Sequence, residues 1–443
     1  MTTTHVPRDK ERSDRAATRF RLPRPRAGRL PAADRGVAAP LHTRRLPWVL
    51  GSLVCAAWAG SFPLVSDLGT QRTWGVIAGI GYLLAACAAA FLPRRHFART
   101  ATGLAFLGAI VLPMALMLVK AWSQSEVPVV QYSAAQMLHT GSPYLPDPHQ
   151  VNGYDPYLPA MALFGIPRVL LGHAWWLPQV LSDARVWFLA VFTGCLVGAW
   201  RLLGPLVSPR VPACGVALAA VTASPLVALV ADTGGVDLPL IGCCLLGLAF
   251  AGRGYAARAG LALGLACAIK WTAWPALPVA LLLLSQLYGR RAVLRCTAVS
   301  LTLAGVLIAP GVLITPHAVL EQVIRFPLGL SSVRTPADSP LPGHLLAQLG
   351  PGGRLASFAL LALGGALVTL WLVLRPPRSV TAAADRLAAG VAVAFLLAPA
   401  GRFGYLELPI LLVLWPRLAT RAAELAAEDD NLPAAEVPLP VRS

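Results

Sequence analysis

Apolar runs of about 18–20 residues recur along this chain, separated by short basic connections, and each is long enough to cross a hydrocarbon layer of roughly 30 Å as a helix. Backbone N–H and C=O groups at that depth must be satisfied within the segment itself, which selects helices over open sheets. Only 13% of the residues are charged, against about 25% in soluble domains. The expected fold class is an all-α polytopic membrane protein with about 12 transmembrane helices, or about 10–13 given the ambiguity of short runs.

The chain has a net charge of +17, but it is not gathered on one face as nucleic-acid binding requires. Twelve of the 37 Lys and Arg fall in residues 1–46, and most of the others sit in short connections between apolar runs. That distribution follows the positive-inside rule and orients the chain with both termini cytoplasmic in the cell membrane. Residues 1–46 read as a disordered basic tail that touches anionic lipid, 47–421 as the membrane domain, and 422–443 as a disordered acidic, Ala/Pro-rich tail. The first apolar run follows a long basic segment, so no cleavable signal peptide is expected. The eight cysteines form no CxxC pair, so neither a disulfide framework nor a zinc site is expected.

Threading from the inside places spans near 48–66, 74–92 and 101–119, then 185–203, 212–231 and 238–252. Two short helices broken at Trp274-Pro275 follow within 259–288, and spans near 296–314, 354–374, 381–400 and 404–416 complete the chain. The piece Tyr157–Gly172, interrupted by Pro159 and Pro167, is short and reads as interfacial or re-entrant. Two long outer segments remain, 120–184 and 315–353. From Ala121 to Pro167 there is no Lys or Arg, as an exported loop should read. Val130, Ala134, Met137 and Leu138 recur at helical spacing until Gly141, which predicts a short amphipathic helix on the bilayer surface.

Long loops with polar residues facing a shared cavity are where function should sit. Glu126, just beyond the third span, is either a solvated loop charge or a general base poised beside a hydroxyl. Asp155 is either a turn residue or a second polar group in the cavity. Asp183 is expected to cap the following helix, and Asp232 and Asp237, bracketing Gly234-Gly235, are expected in a loop and helix cap. Lys270 lies inside an apolar segment, where a lipid-facing charge costs at least about 2.5–3.5 kcal/mol. It either snorkels or contacts an anionic group such as a phosphate. His317, Arg325, Arg334, His344 and Arg402 add positive or titratable groups on the outer side.

Several short stretches carry a family resemblance: Glu126 before Tyr132-Ser-Ala-Ala135 and Gly141-Ser-Pro-Tyr144, then Tyr154-Asp-Pro-Tyr-Leu-Pro159, and Ala259-Gly-Leu-Ala-Leu-Gly-Leu-Ala-Cys-Ala-Ile-Lys270 with Pro275. Over roughly residues 100–350 the chain resembles glycosyltransferase family 87. These are integral-membrane enzymes of the GT-C type that use polyprenyl-phosphate sugars and include α-mannosyltransferases of actinobacterial envelope lipids. The resemblance implies an outward-facing cavity, an inverting transfer, and no metal or other cofactor besides the polyprenyl-phosphate sugar donor. It implies Glu126 as catalytic base and Lys270 as the embedded lysine. It also implies a polar loop near the donor at Ser339-Pro-Leu-Pro-Gly-His344. Arg325, Arg334 and His344 join Lys270 as expected phosphate-binding residues, with Asp155 and Asp237 as secondary acidic candidates. The expected partners are the bilayer, the lipid-linked sugar and a lipid or glycan acceptor, with no nucleic acid. A transporter or flippase of a lipid-linked or small polar substrate is the second reading, since broken helices and intramembrane charge suit it too. A catalytically inactive relative of such enzymes is the third.

Overall fold

A computed structural model describes residues 45–172, 176–204 and 212–430. The basic tail expected over 1–46 lies outside these residues except for its last two, as do parts of the 201–210 connection and of the C-terminal tail.

Among the described residues the chain is helical, with no strand and one isolated parallel bridge between Asp338 and Gly401. Eight helices are long and apolar enough to cross a membrane: Arg45–Val65, Gly69–Phe91, Phe97–Val119, Ala184–Leu203, Arg290–Ile314, Pro351–Leu374, Val380–Leu397 and Phe403–Ala427. The pair Cys214–Thr222 and Pro225–Thr233, bent by 65°, makes a ninth if its two pieces are taken as one broken span. The molecule is therefore a polytopic all-α membrane protein, and fewer of its helices are full-length spans than the expected twelve. The difference lies in Leu238–Gly252, Ala256–Ile269 and Ala276–Tyr288, with 15, 14 and 13 residues. At 1.5 Å per residue they reach only about 20–22 Å. Leu238–Gly252 is buried at twelve of its fifteen positions. A helix apolar all round belongs inside a bundle, and its neighbours, not lipid, surround it.

Prolines shape the first helices. Pro63 and Pro113 lack an N–H, so each frees the carbonyl four residues earlier. Trp74 Nε1 donates to the freed Ala109 carbonyl at 2.9 Å, next to a π-helical turn over Leu107–Val111. There Gly108 lies so close to Gly81 that a Cβ at position 108 would come within 2.5 Å of the Gly81 Cα. The last helix runs through Asp430, past the tail boundary expected at 421. Ala422, Ala423, Ala426 and Ala427 are strong helix formers, and Arg421 pairs with Glu424 at 3.0 Å on the same surface.

The expected break within 259–288 is present, and it centres on Lys270 itself. The residue ends Ala256–Ile269 with extended backbone, φ −155° and ψ 141°. A 3-10 turn over Trp271–Ala273 follows. The interruption leaves the Ile269 carbonyl without a helical partner, and the Leu158 N–H donates to it at 2.9 Å. The segment Pro159–Leu171 begins as a 3-10 helix and continues as a short α-helix, and the helix expected near Val130–Leu138 spans Glu126–Thr140.

The two long segments pack on each other. Tyr154 stacks on Phe326 with centroids 4.4 Å apart. Gln322 accepts the Asp155 N–H at 2.9 Å and donates to the Leu145 carbonyl at 2.6 Å. Ser142 and Thr315 share a hydrogen bond of 2.6 Å.

Candidate active site

Beneath these loops lies a cavity of about 1910 Å³. Its lining combines apolar side chains from the spans, including Trp58, Phe62, Leu361 and Phe395, with Glu126, Asp237, Lys270, Arg402 and Tyr405.

The Glu126 side chain, 12% exposed, accepts a charge-assisted hydrogen bond from Arg402 through Oε1. Its Oε2 has no hydrogen-bond partner among the described residues. Lys270, 7% exposed, donates to Asp237 Oδ1 at 2.7 Å. Its ammonium lies 4.8 Å from the Tyr405 ring centroid and 5.7 Å from that of Tyr157, within cation–π range. Burial pushes the Tyr157 phenol well above its usual pKa. Glu126, Asp237 and Tyr405 push the same way and Arg402 opposes them, so their charges converge on this ring. Behind them Glu407 is buried, both carboxylate oxygens lacking a partner among the described residues.

Local structure explains why these groups meet. Glu126 opens its helix, where a carboxylate is favoured by the helix dipole. The Gln124 N–H, two residues earlier, is tied to the Thr233 carbonyl at 2.8 Å. Asp237 precedes Leu238–Gly252 but makes no side-chain cap, so the expected capping role gives way to the ion pair with Lys270. Arg402 sits on a turn clasped by the second long segment. Ser339 N–H donates to the Gly401 carbonyl and Gly401 N–H to the Ala337 carbonyl, both at 3.0 Å. Asp183 does cap its helix, accepting from Arg185 N–H at 2.9 Å. It also holds the Arg185 guanidinium through both carboxylate oxygens, at 2.9 and 2.8 Å.

Glu126, Lys270 and Asp237 are thus brought together, whereas four other expected site residues lie elsewhere. Arg325 is exposed and faces Glu321 on its own turn at 3.5 Å. Arg334 is exposed and does not line the cavity. His344 is buried, with Nδ1 2.9 Å from the Pro399 carbonyl and Nε2 2.9 Å from the Gln348 amide, so both ring nitrogens are engaged structurally. Asp155 is a buried turn residue accepting the Tyr157 N–H at 3.0 Å. Desolvation raises its pKa to about 7, against the lowering effect of hydrogen bonds from Ser133 and Tyr157. Asp232, expected in a loop, is fully buried within Pro225–Thr233.

Sequence reasoning missed Arg168 and Arg185 in the cavity wall and the tyrosine pair around Lys270, and offered Arg402 only as one of several outer cations. The Asp183-x-Arg185 spacing was a signal for the local ion pair. Nothing in the sequence pairs Arg402 with a carboxylate 276 residues away.

Paired carboxylates and cations in one cavity with apolar side chains suit a substrate with a lipid tail, an anionic group and a reacting hydroxyl. The sequence matches the model of glycosyltransferase family 87 over residues 156–399, more than half of the chain. The match includes Asp237 and Lys270 and leaves Glu126 and Arg402 on either side. No curated protein and no solved structure matches the chain. A family match of this extent, on a polytopic helical frame, makes the chain a member of glycosyltransferase family 87 and hence a membrane glycosyltransferase.

Proposed function

We propose that the protein transfers a hexose, mannose in the first instance, from a polyprenyl-phosphate donor to an envelope lipid or glycan. Transfer occurs at the outer face of the cell membrane, with both termini cytoplasmic. The observation that carries this reading is that apolar side chains of the spans and Glu126, Arg402, Lys270 and Asp237 line one cavity. The prenyl tail lies along the apolar side chains, and phosphate and sugar reach the charged ones.

Glu126 is the base. Arg402 holds Oε1 and orients the carboxylate, leaving Oε2 to accept the proton of the acceptor hydroxyl. The hydroxyl oxygen of the acceptor, having given up its proton, forms the new bond to the anomeric carbon. The bond from this carbon to the phosphate oxygen breaks, and its electron pair leaves on the phosphate. Arg402 and Lys270 stabilise the growing negative charge in a site partly closed to water.

The test is transfer of radiolabelled hexose from a polyprenyl-phosphate donor in membranes carrying Glu126→Gln. General-base catalysis contributes about 10²–10⁴-fold, so a loss of that size is expected. Undiminished transfer removes Glu126 from the mechanism.

A further inference from the structure

Four cations line the cavity wall: Arg168, Arg185, Lys270 and Arg402. Three are already neutralised, Arg185 by Asp183, Lys270 by Asp237 and Arg402 by Glu126. Arg185 also donates to the Trp122 and Asp232 carbonyls, at 3.0 and 2.5 Å, so all of its nitrogens are engaged. Arg168 differs. Among the described residues it has no carboxylate partner, and Nη1 makes its side-chain hydrogen bond to the Ser182 hydroxyl at 3.2 Å. The adjoining residues 173–178, HAWWLP, contain no carboxylate either. A guanidinium offers five N–H donors in a planar fork, so most of this half-buried group is unspent.

The placement is well supported. Ser182 is fully buried and donates to the Gln179 carbonyl at 3.1 Å. Gly165, three residues before Arg168, lies against the Val130 carbonyl, where a Cβ would approach to 2.4 Å. The turn bearing Arg168 is therefore packed on the helix that Glu126 begins.

We propose that Arg168 is the docking residue for a substrate phosphate group, bound by two parallel N–H···O bonds. This rests on the reading of the cavity as a site for a phosphorylated amphiphile. Lys270 and Arg402 stay with their carboxylates until the reaction develops charge, while Arg168 captures the anion first. The same chemistry is presented by a prenyl phosphate and by a glycerolipid headgroup, and the experiment separates them.

Full-length protein in zwitterionic nanodiscs is titrated with farnesyl phosphate against farnesol, and with short-chain phosphatidic acid against diacylglycerol. The wild type is expected to prefer one phosphorylated probe over its uncharged counterpart, and Arg168→Gln to weaken that probe by about tenfold or more. Preference for farnesyl phosphate assigns Arg168 to the donor, and preference for phosphatidic acid assigns it to the acceptor. Arg325→Gln, outside the cavity, should bind as the wild type does. A readout without substitution is phenylglyoxal modification of Arg168, followed by mass spectrometry, which the preferred probe should suppress. Wild-type affinity in Arg168→Gln, an unprotected Arg168, or no preference for either phosphorylated probe overturns the assignment. Transfer by Glu126→Gln tests the first reading and probe binding by Arg168→Gln tests this one, so the two readings fail separately.

Discussion

The two long segments cover one cavity by different means. The first, around 120–184, contributes chemistry directly: Glu126, Tyr157, Arg168 and Asp183 come from it. The second, around 315–353, carries Arg325, Arg334 and His344, and none of them lines the cavity. It lines the cavity instead with residues 326–328 and 335–339, and it also acts through its backbone. The exchange among Ala337, Ser339 and Gly401, and the His344 contact to Pro399, hold the turn that presents Arg402. The second segment thus clamps the turn of Arg402, while the first places Glu126 beside it.

That contrast can be broken in four places. The largest effect is expected at Lys270. Removing one member of a buried pair costs about 3–5 kcal/mol; the Asp237 side chain is 18% exposed, which favours the lower end. Lys270→Met should lower the melting midpoint and abolish transfer, and Lys270→Met combined with Asp237→Leu should recover stability without activity. Next is Arg402→Gln, which frees Glu126 Oε1. Transfer should fall by about 10–100-fold, consistent with losing a charged hydrogen bond of about 1.5–3 kcal/mol, and the melting midpoint should also fall, by less than for Lys270→Met because the Arg402 side chain is 31% exposed.

Asp155 comes third and is read through pH. The folded carboxyl holds its proton up to about pH 7, whereas the ordinary value is 3.8. The folded state therefore binds more protons between these values, and stability falls as pH rises through that window. Asp155→Asn should flatten the slope and raise the melting midpoint at pH 8 by a few degrees, on the order of 2–4 °C per kcal/mol. An unchanged slope would show that Asp155 ionises freely. The smallest effects belong to Arg325→Gln and Arg334→Gln, expected within about 0.5 kcal/mol of wild type in stability and near wild type in transfer. A large loss of transfer in either would reverse the contrast between the segments.

Much of the frame was legible because apolar length is a local property. The spans at 45–65, 69–91, 184–203 and 351–374 follow their apolar runs closely, and the proline at 275 marked the broken pair. The bounds of 238–252 were legible as well, but not that it falls short of a full span or that most of it is buried, which depends on which helices surround it. The site divides in the same way. Lys270 drew attention because a charge in an apolar run is locally anomalous, and Glu126 because it sits at a span boundary. Their partners were hidden. Asp237 is 33 residues from Lys270 and read as an ordinary cap, and Arg402 looked like any other loop cation. His344 misled for the opposite reason: its Pro/Gly-rich setting resembled a binding loop, while both ring nitrogens serve the clamp.

The bond from the Leu158 amide to the Ile269 carbonyl has a consequence for assembly. Without the loop closed over it, the helix pair 256–288 would keep an unsatisfied carbonyl in a water-poor interior, where a missing partner is expensive. The hairpin can therefore enter the bilayer early but reaches its final shape only when the loop closes over it. Lys270 lies at that interruption, so the loop contact and the Lys270–Asp237 pair should form together.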